Sequence, residues 1–191
     1  MKLTEKGRAR KAQIIQTAIG ILSTEGRSGF TMRGIAESCG LRLSNVQYYF
    51  TSLEDLFCET LEFIFEDSKS RLEQSIAEGN GVLETILYMI FHDIEKQPDC
   101  QLLYEIWALA AHYEKSNETI CGFYKSYIDV LTETIQSKNP DQTKEQAQKK
   151  AEVILPLLEG LCLVYGKGRK QKLAPELEKS IVETIEFIIN T

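Results

Sequence analysis

One short stretch of this chain carries side chains of the types that bind base pairs. It contains Ser44, Asn45, Gln47 and Tyr48. Amide groups can bond an adenine edge at two points, and hydroxyl groups bond either bases or phosphates. Arg33 and Arg42 precede the stretch and offer positive charge to phosphates. These residue types predict contact with double-stranded DNA; the alternative is that Asn45 and Gln47 are surface polar residues without a partner.

The segment from Phe30 to Phe50 has a pattern that positions such side chains, two short helices joined by a tight turn. Thr31 is a candidate N-cap for the first helix, and Gly40 allows the left-handed backbone that a tight turn often needs. The second helix is predicted at about residues 43–50. The positions expected to hold the pair together are Ile35, Ala36, Cys39, Leu41, Val46 and Tyr49. This spacing predicts a helix-turn-helix whose second helix enters the DNA major groove.

Helical periodicity continues through the rest of the chain, and no strand-like alternation rises above noise. We predict an all-α fold of about nine helices, with a DNA-binding domain at 1–50 and a helical ligand-binding and dimerisation domain at 51–191. A long helix of about 52–78 joins them, opened by a capping pattern at Thr51. The other predicted helices span about 8–25, 82–97, 99–114, 117–137, 141–165 and 175–190, with a stop before Pro98 and a kink or restart at Pro156.

The charge of the chain is unevenly distributed. Residues 1–50 hold eight Lys or Arg and three Glu, a net charge of +5, whereas the whole chain has a net charge of −6 and the remainder therefore −11. A basic head on an acidic body predicts an electrostatic footprint limited to the head. The alternative is a solvated face on which charges cluster by chance. The basic run between Lys167 and Lys172 is predicted to be a solvated linker.

The sequence shows no pattern for metal, cofactor or enzyme chemistry. The five cysteines are scattered and the chain has two histidines, so no zinc spacing emerges and no cofactor is predicted. The cysteines are expected to be buried free thiols, the alternative being a redox sensor. An enzyme using an interior acid such as Glu105 or Glu159 is the weaker alternative, because no nucleophile–base pair accompanies either residue. Without a signal peptide or a membrane-span run, we expect a cytoplasmic protein.

Aromatic and histidine side chains on the later helices are candidates for a small-molecule pocket in the body. Aromatic residues at helical spacing are more often part of the core than ligand contacts, so the alternative for each of them is a core position. Trp107 is the most favourable, because its ring is amphipathic. The predicted pocket residues are Tyr88, His92, Tyr104, Trp107, Phe123 and Tyr127.

The run from Val153 to Tyr165 is apolar on every face, and the final helix is rich in isoleucine. A helix that is apolar all round is buried on all sides. A second copy of the same surface, related by two-fold symmetry, is the simplest cover. The alternative is a monomer that buries both helices itself. The residues predicted at the dimer interface are Leu155, Leu158, Cys162, Ile181, Ile185 and Ile188.

About the first 65 positions resemble the tetracycline-repressor (TetR) family of bacterial transcription regulators. The resemblance is carried by the helix ending at Gly26 and by the segments TMRGIAESCGL, NVQYYF and TSLEDLF. The rest is similar in layout alone, a helical ligand domain whose last two helices resemble the dimerising four-helix bundle of the family. The resemblance implies a homodimer on a palindromic operator, with a small-molecule effector bound in each body and a repressor role. Activation, or a helical module whose head binds protein, stays open.

The resemblance also implies roles for individual residues. Base contacts in the family match Ser44, Asn45 and Gln47. Phosphate contacts match Arg33, Tyr48 and Tyr49, and Thr31 matches a capping position that can touch the DNA backbone. Two positions depart from the family. Leu53 stands where the family often has a phosphate-binding lysine, so this phosphate contact is missing or is supplied by Arg8, Arg10 or Lys11. Gln47 stands where the family commonly has an aromatic residue, so the operator preference is expected to differ.

Overall fold

The computed structural model describes residues 3–95, 97–166 and 173–191, with the backbone alone for 97–100. Within these ranges the chain forms nine α-helices and one 3-10 turn, Gly26–Ser28, and no strand, which confirms the all-α prediction. The predicted basic linker lies outside the residues described, as does the side chain of Cys100. The helices are α1 Glu5–Glu25, α2 Met32–Ser38, α3 Leu43–Tyr49, α4 Leu53–Ala77, α5 Val82–Glu95, α6 Gln97–Ala110, α7 Glu114–Lys138, α8 Lys144–Tyr165 and α9 Pro175–Asn190.

The chain divides into two compact units. The first comprises Met1–Ser68 and Gln101–Cys121, and the second comprises Lys69–Cys100 and Gly122–Thr191. Helix α4 contributes residues to both units. None of the helices in the described ranges is long and apolar enough to cross a membrane.

The first unit is built on the apolar side of α1 and the first half of α4. The stripe predicted on α1 is buried as expected: Ile14, Ala18, Ile21 and Leu22. Phe57 of α4 is fully buried, and its ring lies edge-on to Phe30 with ring centroids 5.7 Å apart. Helix α1 begins at Glu5, before the predicted start at about residue 8, because the Thr4 hydroxyl accepts a hydrogen bond from the Gly7 backbone N–H.

The long helix is capped one residue later than the pattern at Thr51 predicts, by Ser52. Its hydroxyl accepts a 3.0 Å hydrogen bond from the Asp55 backbone N–H. Thr51 donates a hydrogen bond to the Asp55 carboxylate, and this bond, helped by Lys115, holds the pKa of Asp55 below its usual value. Lys115 lies 3.4 Å from that carboxylate and ties the start of α7 to the start of α4.

The predicted helix end before Pro98 is present, since α5 ends at Glu95. The next helix begins earlier than predicted, because α6 starts at Gln97 and Pro98 lies in its first turn. A proline is tolerated there because the N–H that it lacks has no acceptor within the helix. Helix α8 runs without a restart through Pro156.

The second unit has a core formed by α5, α7, α8 and α9. Leu131, Ile135, Ile154 and Leu158 have no exposed surface. Thr143 and Gln146 form a reciprocal capping box at the start of α8. The end of α9 is fixed by two donors, because both Lys150 and Asn139 bond the carbonyl oxygen of Ile189, at 2.9 and 2.8 Å. These bonds satisfy a carbonyl that the last turn of a helix leaves open.

Most of the predicted dimer-interface residues belong to this core instead. Leu155, Leu158, Cys162 and Ile185 are at most 5% exposed in a single chain, so they offer no side-chain surface to a partner. Ile181 and Ile188 are half-buried and pack against the same core. The prediction failed for the four buried residues because an apolar helix does not reveal in its sequence which side faces its own core.

Four cysteines are described, and all are free thiols. Cys58 and Cys162 are buried as predicted, and Cys39 is half-buried. Cys121 is exposed, contrary to the prediction of buried thiols. The Cys58 sulfur lies 3.3 Å from the Ser116 hydroxyl within the first unit, so it is part of the packing there.

Candidate nucleic-acid interface

Helices α2 and α3 form the predicted helix-turn-helix. The turn between them depends on Gly40, whose φ angle of +66° lies in the left-handed region that favours glycine. The Gly40 and Leu41 backbone N–H groups bond the carbonyl oxygens of Glu37 and Ala36, at 3.0 and 2.8 Å. This arrangement closes the end of α2 and redirects the chain into α3.

The start of α2 is fixed by a cap and by a close backbone approach. The Thr31 hydroxyl accepts a 3.0 Å hydrogen bond from the Gly34 backbone N–H, which confirms the predicted cap. A Cβ atom placed on Gly34 would lie 2.8 Å from the carbonyl oxygen of Gly29. Gly34 therefore allows the chain before α2 to pack against its first turn, a requirement that the sequence analysis missed.

The inward side of the motif is fully buried. Ile35, Ala36, Val46 and Phe50 are each at most 2% exposed. Because Val46 is the buried anchor of α3, the neighbouring positions on that helix face away from the core. Cys39, Leu41 and Tyr49, also predicted to face inward, are half-buried.

The residues predicted to contact DNA are nearly all available at the surface. Those exposed are Thr31, Arg33, Arg42, Ser44, Asn45, Gln47 and Tyr48. Tyr48 is 61% exposed, whereas its neighbour Tyr49 is half-buried, and their rings meet edge-on with centroids 5.0 Å apart. The half-buried Tyr49 ring can support the exposed Tyr48 ring beside a phosphate backbone.

The predicted replacements for the phosphate contact missing at Leu53 are three basic residues of α1, Arg8, Arg10 and Lys11. Lys11 is used inside the unit: its ammonium pairs with Glu59 of α4 and lies 5.4 Å from the centre of the Phe50 ring. It therefore holds α1, α4 and the end of α3 together. Within the described part of the chain, Arg8 and Arg10 bond locally at the surface, to the Leu3 carbonyl and to Gln13.

A carboxylate from α6 fixes the turn that precedes the motif. Glu105 Oε2 accepts a 2.9 Å hydrogen bond from the Arg27 backbone N–H. Gly26 has a φ angle of +65°, and a Cβ atom placed on it would lie 2.6 Å from Glu105 Oε1. Glu105 thus serves as a positioned acceptor for this turn. The contact was not predicted, because the two residues are 78 positions apart.

The predicted pocket residues are distributed over both units. Tyr104 and Trp107 are half-buried in the first unit, and the other four lie in the second. Tyr88 is 67% exposed and stacks on His92 at the surface, so the prediction that it lines an interior pocket was wrong. The inward face of α5 is instead formed by Leu83, Ile86, Leu87 and Ile94.

Phe123 and Tyr127 are half-buried on one side of α7. Their ring centroids are 4.7 Å apart, and Tyr124, which the prediction omitted, places its ring centroid 5.5 Å from that of Phe123. The three rings form a continuous aromatic surface in the second unit.

The buried anchor, the glycine turn and the exposed polar helix together define a helix-turn-helix DNA-binding head. The chain is 31% identical over 163 residues to an uncharacterized HTH-type transcriptional regulator in the dhlA 5′ region of Xanthobacter autotrophicus, covering 81% of this chain and 79% of that protein. It is 24% identical over 164 residues to the HTH-type transcriptional regulator PksA of Bacillus subtilis, covering 81% and 77%. No protein-family model matches the chain.

Solved structures share the fold. A transcriptional regulator of Saccharomonospora viridis in complex with choline superposes with a TM-score of 0.78 at 16% identity, over 94% of this chain and 96% of that one. A TetR-family regulator from Rhodococcus gives 0.72 at 14% identity over 95% and 99%, and the multidrug binding protein EbrR complexed with ethidium gives 0.72 at 16% identity over 94% and 98%. The chain belongs to the TetR family of helix-turn-helix transcriptional regulators.

Proposed function

We propose that the protein is a homodimeric repressor that binds a palindromic operator and leaves it when a small molecule binds in the helical body. The observation that carries this proposal is α3, an exposed polar helix that is held by a fully buried Val46 and preceded by the exposed Arg33 and Arg42. An exposed helix of this kind, fixed by its own core, fits the major groove of DNA.

The roles of individual side chains follow from their chemistry. Gln47 is the residue most suited to an adenine edge, since its amide donates and accepts in the pattern that adenine presents in the major groove. Ser44 and Asn45 lie on the same exposed part of α3 and read neighbouring bases. Arg33, Arg42 and Tyr48 bind phosphates and fix the register. Each phosphate that is neutralised adds about 0.9 to the salt slope of the affinity.

Dimer formation is supported by the exposed apolar surface of α8 and α9. The large hydrophobic side chains exposed there are Val153, Leu157, Leu163, Val164 and Phe187. Val153, Leu157 and Val164 are spaced four and seven residues apart and so share one side of α8. Gly160 lies between them, and a Cβ atom placed on it meets nothing within 4 Å, which leaves room for a partner helix to approach.

An open apolar groove of about 190 Å³ lies between α8 and α9. Its lining consists of Leu157, Leu161, Leu177, Ser180, Ile181, Thr184 and Ile185. A second copy of the chain related by two-fold symmetry covers this groove and the exposed stripe together, since such an interface is self-complementary. Ile181, half-buried in a single chain, then becomes part of the interface as the sequence predicted.

Release by a small molecule is supported by two of the structural relatives, which bind choline and ethidium. Helix α4 is the element through which a ligand in the body acts on the DNA-binding helices. Its residues up to Ser68 belong to the unit that contains α2 and α3, and its residues from Lys69 belong to the second unit. A ligand that tilts α4 changes the spacing of the two recognition helices from the roughly 34–36 Å between successive major grooves. A ligand that binds both spacings equally releases nothing.

The test is a selection of random DNA duplexes by the purified protein, repeated with Gln47→Ala and with Gln148→Ala. The second variant removes the same side chain from an exposed position on α8. We expect an enriched palindrome for the unchanged protein and for Gln148→Ala, with preference lost at one base pair of each half-site for Gln47→Ala. Binding without any enrichment, fading only with salt, would contradict the proposal.

A further inference from the structure

A carboxylate without a matching charge lies beside the aromatic surface of the second unit. Glu159 of α8 accepts a hydrogen bond from the Tyr124 hydroxyl of α7. Its oxygen Oε2 is buried and has no hydrogen-bond partner among the described residues. The same is true of the Gln142 amide oxygen, but that group is neutral and its nitrogen bonds the Ile135 carbonyl. Glu159 is therefore the buried acceptor that can carry a full charge.

The charges around Glu159 do not compensate it. Burial raises its pKa to about 7, the Tyr124 hydrogen bond opposes this shift, and Asp93 of α5 adds to it. No cation of the described chain is among the groups that set this pKa. Arg71 of α4 acts on Tyr127, and His92 lies 3.6 Å from Asp93. Among the described residues, no cation therefore acts on Glu159 itself.

The rings beside the carboxylate have faces suited to a cation. Phe123 is in contact with both Tyr124 and Tyr127, at ring-centroid distances of 5.5 and 4.7 Å. Tyr127 keeps its proton, because burial raises its pKa to about 12. Aromatic faces attract ammonium groups, and they do so more strongly where water is excluded.

We propose that the effector of this regulator is an organic cation, whose ammonium group is bound by Glu159 against the ring faces of Phe123, Tyr124 and Tyr127. This inference rests on the proposed function, that a small molecule in the body controls operator binding. An anionic effector meets two acids, Glu159 and Asp93. A neutral effector leaves the ionised form of Glu159 without a counter-charge, which is unfavourable. A cation supplies the missing charge.

The experiment measures binding by isothermal titration calorimetry to the full-length protein. The probes are choline, benzyltrimethylammonium and 3,3-dimethylbutan-1-ol, the last being an uncharged molecule of the same shape as choline. The variants are Glu159→Gln, Tyr124→Phe and, as a matched control on an exposed position of α8, Glu152→Gln. Circular dichroism establishes that each variant is folded; Tyr124→Phe keeps the ring and provides a second test if Glu159→Gln does not fold.

We expect at least one of the two cations to bind at least tenfold more tightly than the neutral alcohol. Glu159→Gln is expected to lose at least tenfold in cation affinity, with the alcohol unaffected, and Glu152→Gln to behave as the unchanged protein. The inference is overturned if neither cation binds, if the alcohol binds equally well, or if Glu159→Gln retains cation affinity.

Operator release, measured alongside, separates this inference from the proposed function. If a neutral or anionic compound releases the operator while the cations do not, the function stands and the cation site is wrong. If cations bind through Glu159 without changing operator affinity at constant salt, the site stands and ligand-controlled release is wrong.

Discussion

The Glu105 carboxylate accepts a 2.9 Å hydrogen bond from the backbone N–H of Arg27, and this bond joins α6 to the turn that precedes the helix-turn-helix. Gly26 makes the approach possible, because its left-handed backbone and its missing side chain leave room for the carboxylate. The turn before the DNA-binding helices is therefore bonded to a residue of α6 in the same unit.

Removing this acceptor is expected to weaken the first unit. Glu105→Ala leaves the Arg27 N–H without its charged partner, at a cost of about 1–2 kcal/mol in the free energy of unfolding. Glu105→Gln keeps an acceptor oxygen and should cost less. Urea denaturation of both variants measures the difference, and equal losses for the two would show that the hydrogen bond contributes nothing.

Gly26→Ala tests the same contact from the other side. A Cβ atom there lies 2.6 Å from Glu105 Oε1 on a backbone with φ of +65°, so we expect a loss of about 1–3 kcal/mol in stability. Gly20→Ala on the exposed side of α1 is the control, since nothing lies within 4 Å of its Cβ atom, and it should gain about 0.4–1 kcal/mol. Thermal unfolding measures the stability of both variants. Unchanged stability of Gly26→Ala would contradict the steric argument.

The buried acid Glu159 predicts a specific pH dependence of stability. Its pKa is raised from 4.5 to about 7, mainly by burial and also by Asp93, while the Tyr124 hydrogen bond opposes the shift; Tyr127, with Arg71 near it, also faces the acid. The folded state therefore holds a proton that the unfolded state releases. The stability this gives is fully present below pH 4.5 and is lost as the pH rises through about 7.

Replacing Glu159 by glutamine, which has nearly the same shape but does not titrate, should remove this loss of stability at high pH. Glu159→Gln should gain stability relative to the unchanged protein as the pH rises from 5 to 8, by up to about 3 kcal/mol. Glu152→Gln, at an exposed position of the same helix, should show a constant difference over this range. Guanidinium denaturation at several pH values measures both differences. A pH-independent difference for Glu159→Gln would show that the carboxyl titrates as an ordinary exposed acid.

The exposed surface of α8 and α9 predicts which substitutions separate the proposed dimer. Phe187→Glu and Leu157→Glu place a charge on exposed apolar positions, so we expect monomers that keep their helical content. Tyr88→Glu is the control, because Tyr88 is equally exposed but lies on α5. Sedimentation velocity distinguishes the states; a dimer retained in both α8 and α9 variants would place the interface elsewhere.

The sequence predicted best what short-range signals determine. Thr31 and Gly40 act on backbone within four residues of themselves, and the cap and turn that they predict are present. The buried side of α8 was not predicted, because the pattern around Leu158 shows that α8 is apolar without showing which side a single chain buries. The Glu105 contact left no local pattern at all, since its partner Arg27 is bonded through the backbone.

The central claim is that α3 reads bases and that Gln47 is one of the readers. The most direct measurement is operator affinity at one fixed salt concentration, by fluorescence anisotropy, for the unchanged protein and for Gln47→Ala. Each is measured on the selected palindrome and on a duplex changed at the base pair whose preference Gln47→Ala loses. We predict that the substitution and the base change each cost about 1–3 kcal/mol, and that combining them costs no more than either alone. Unchanged operator affinity for Gln47→Ala, or losses that simply add, would contradict a contact between Gln47 and that base pair.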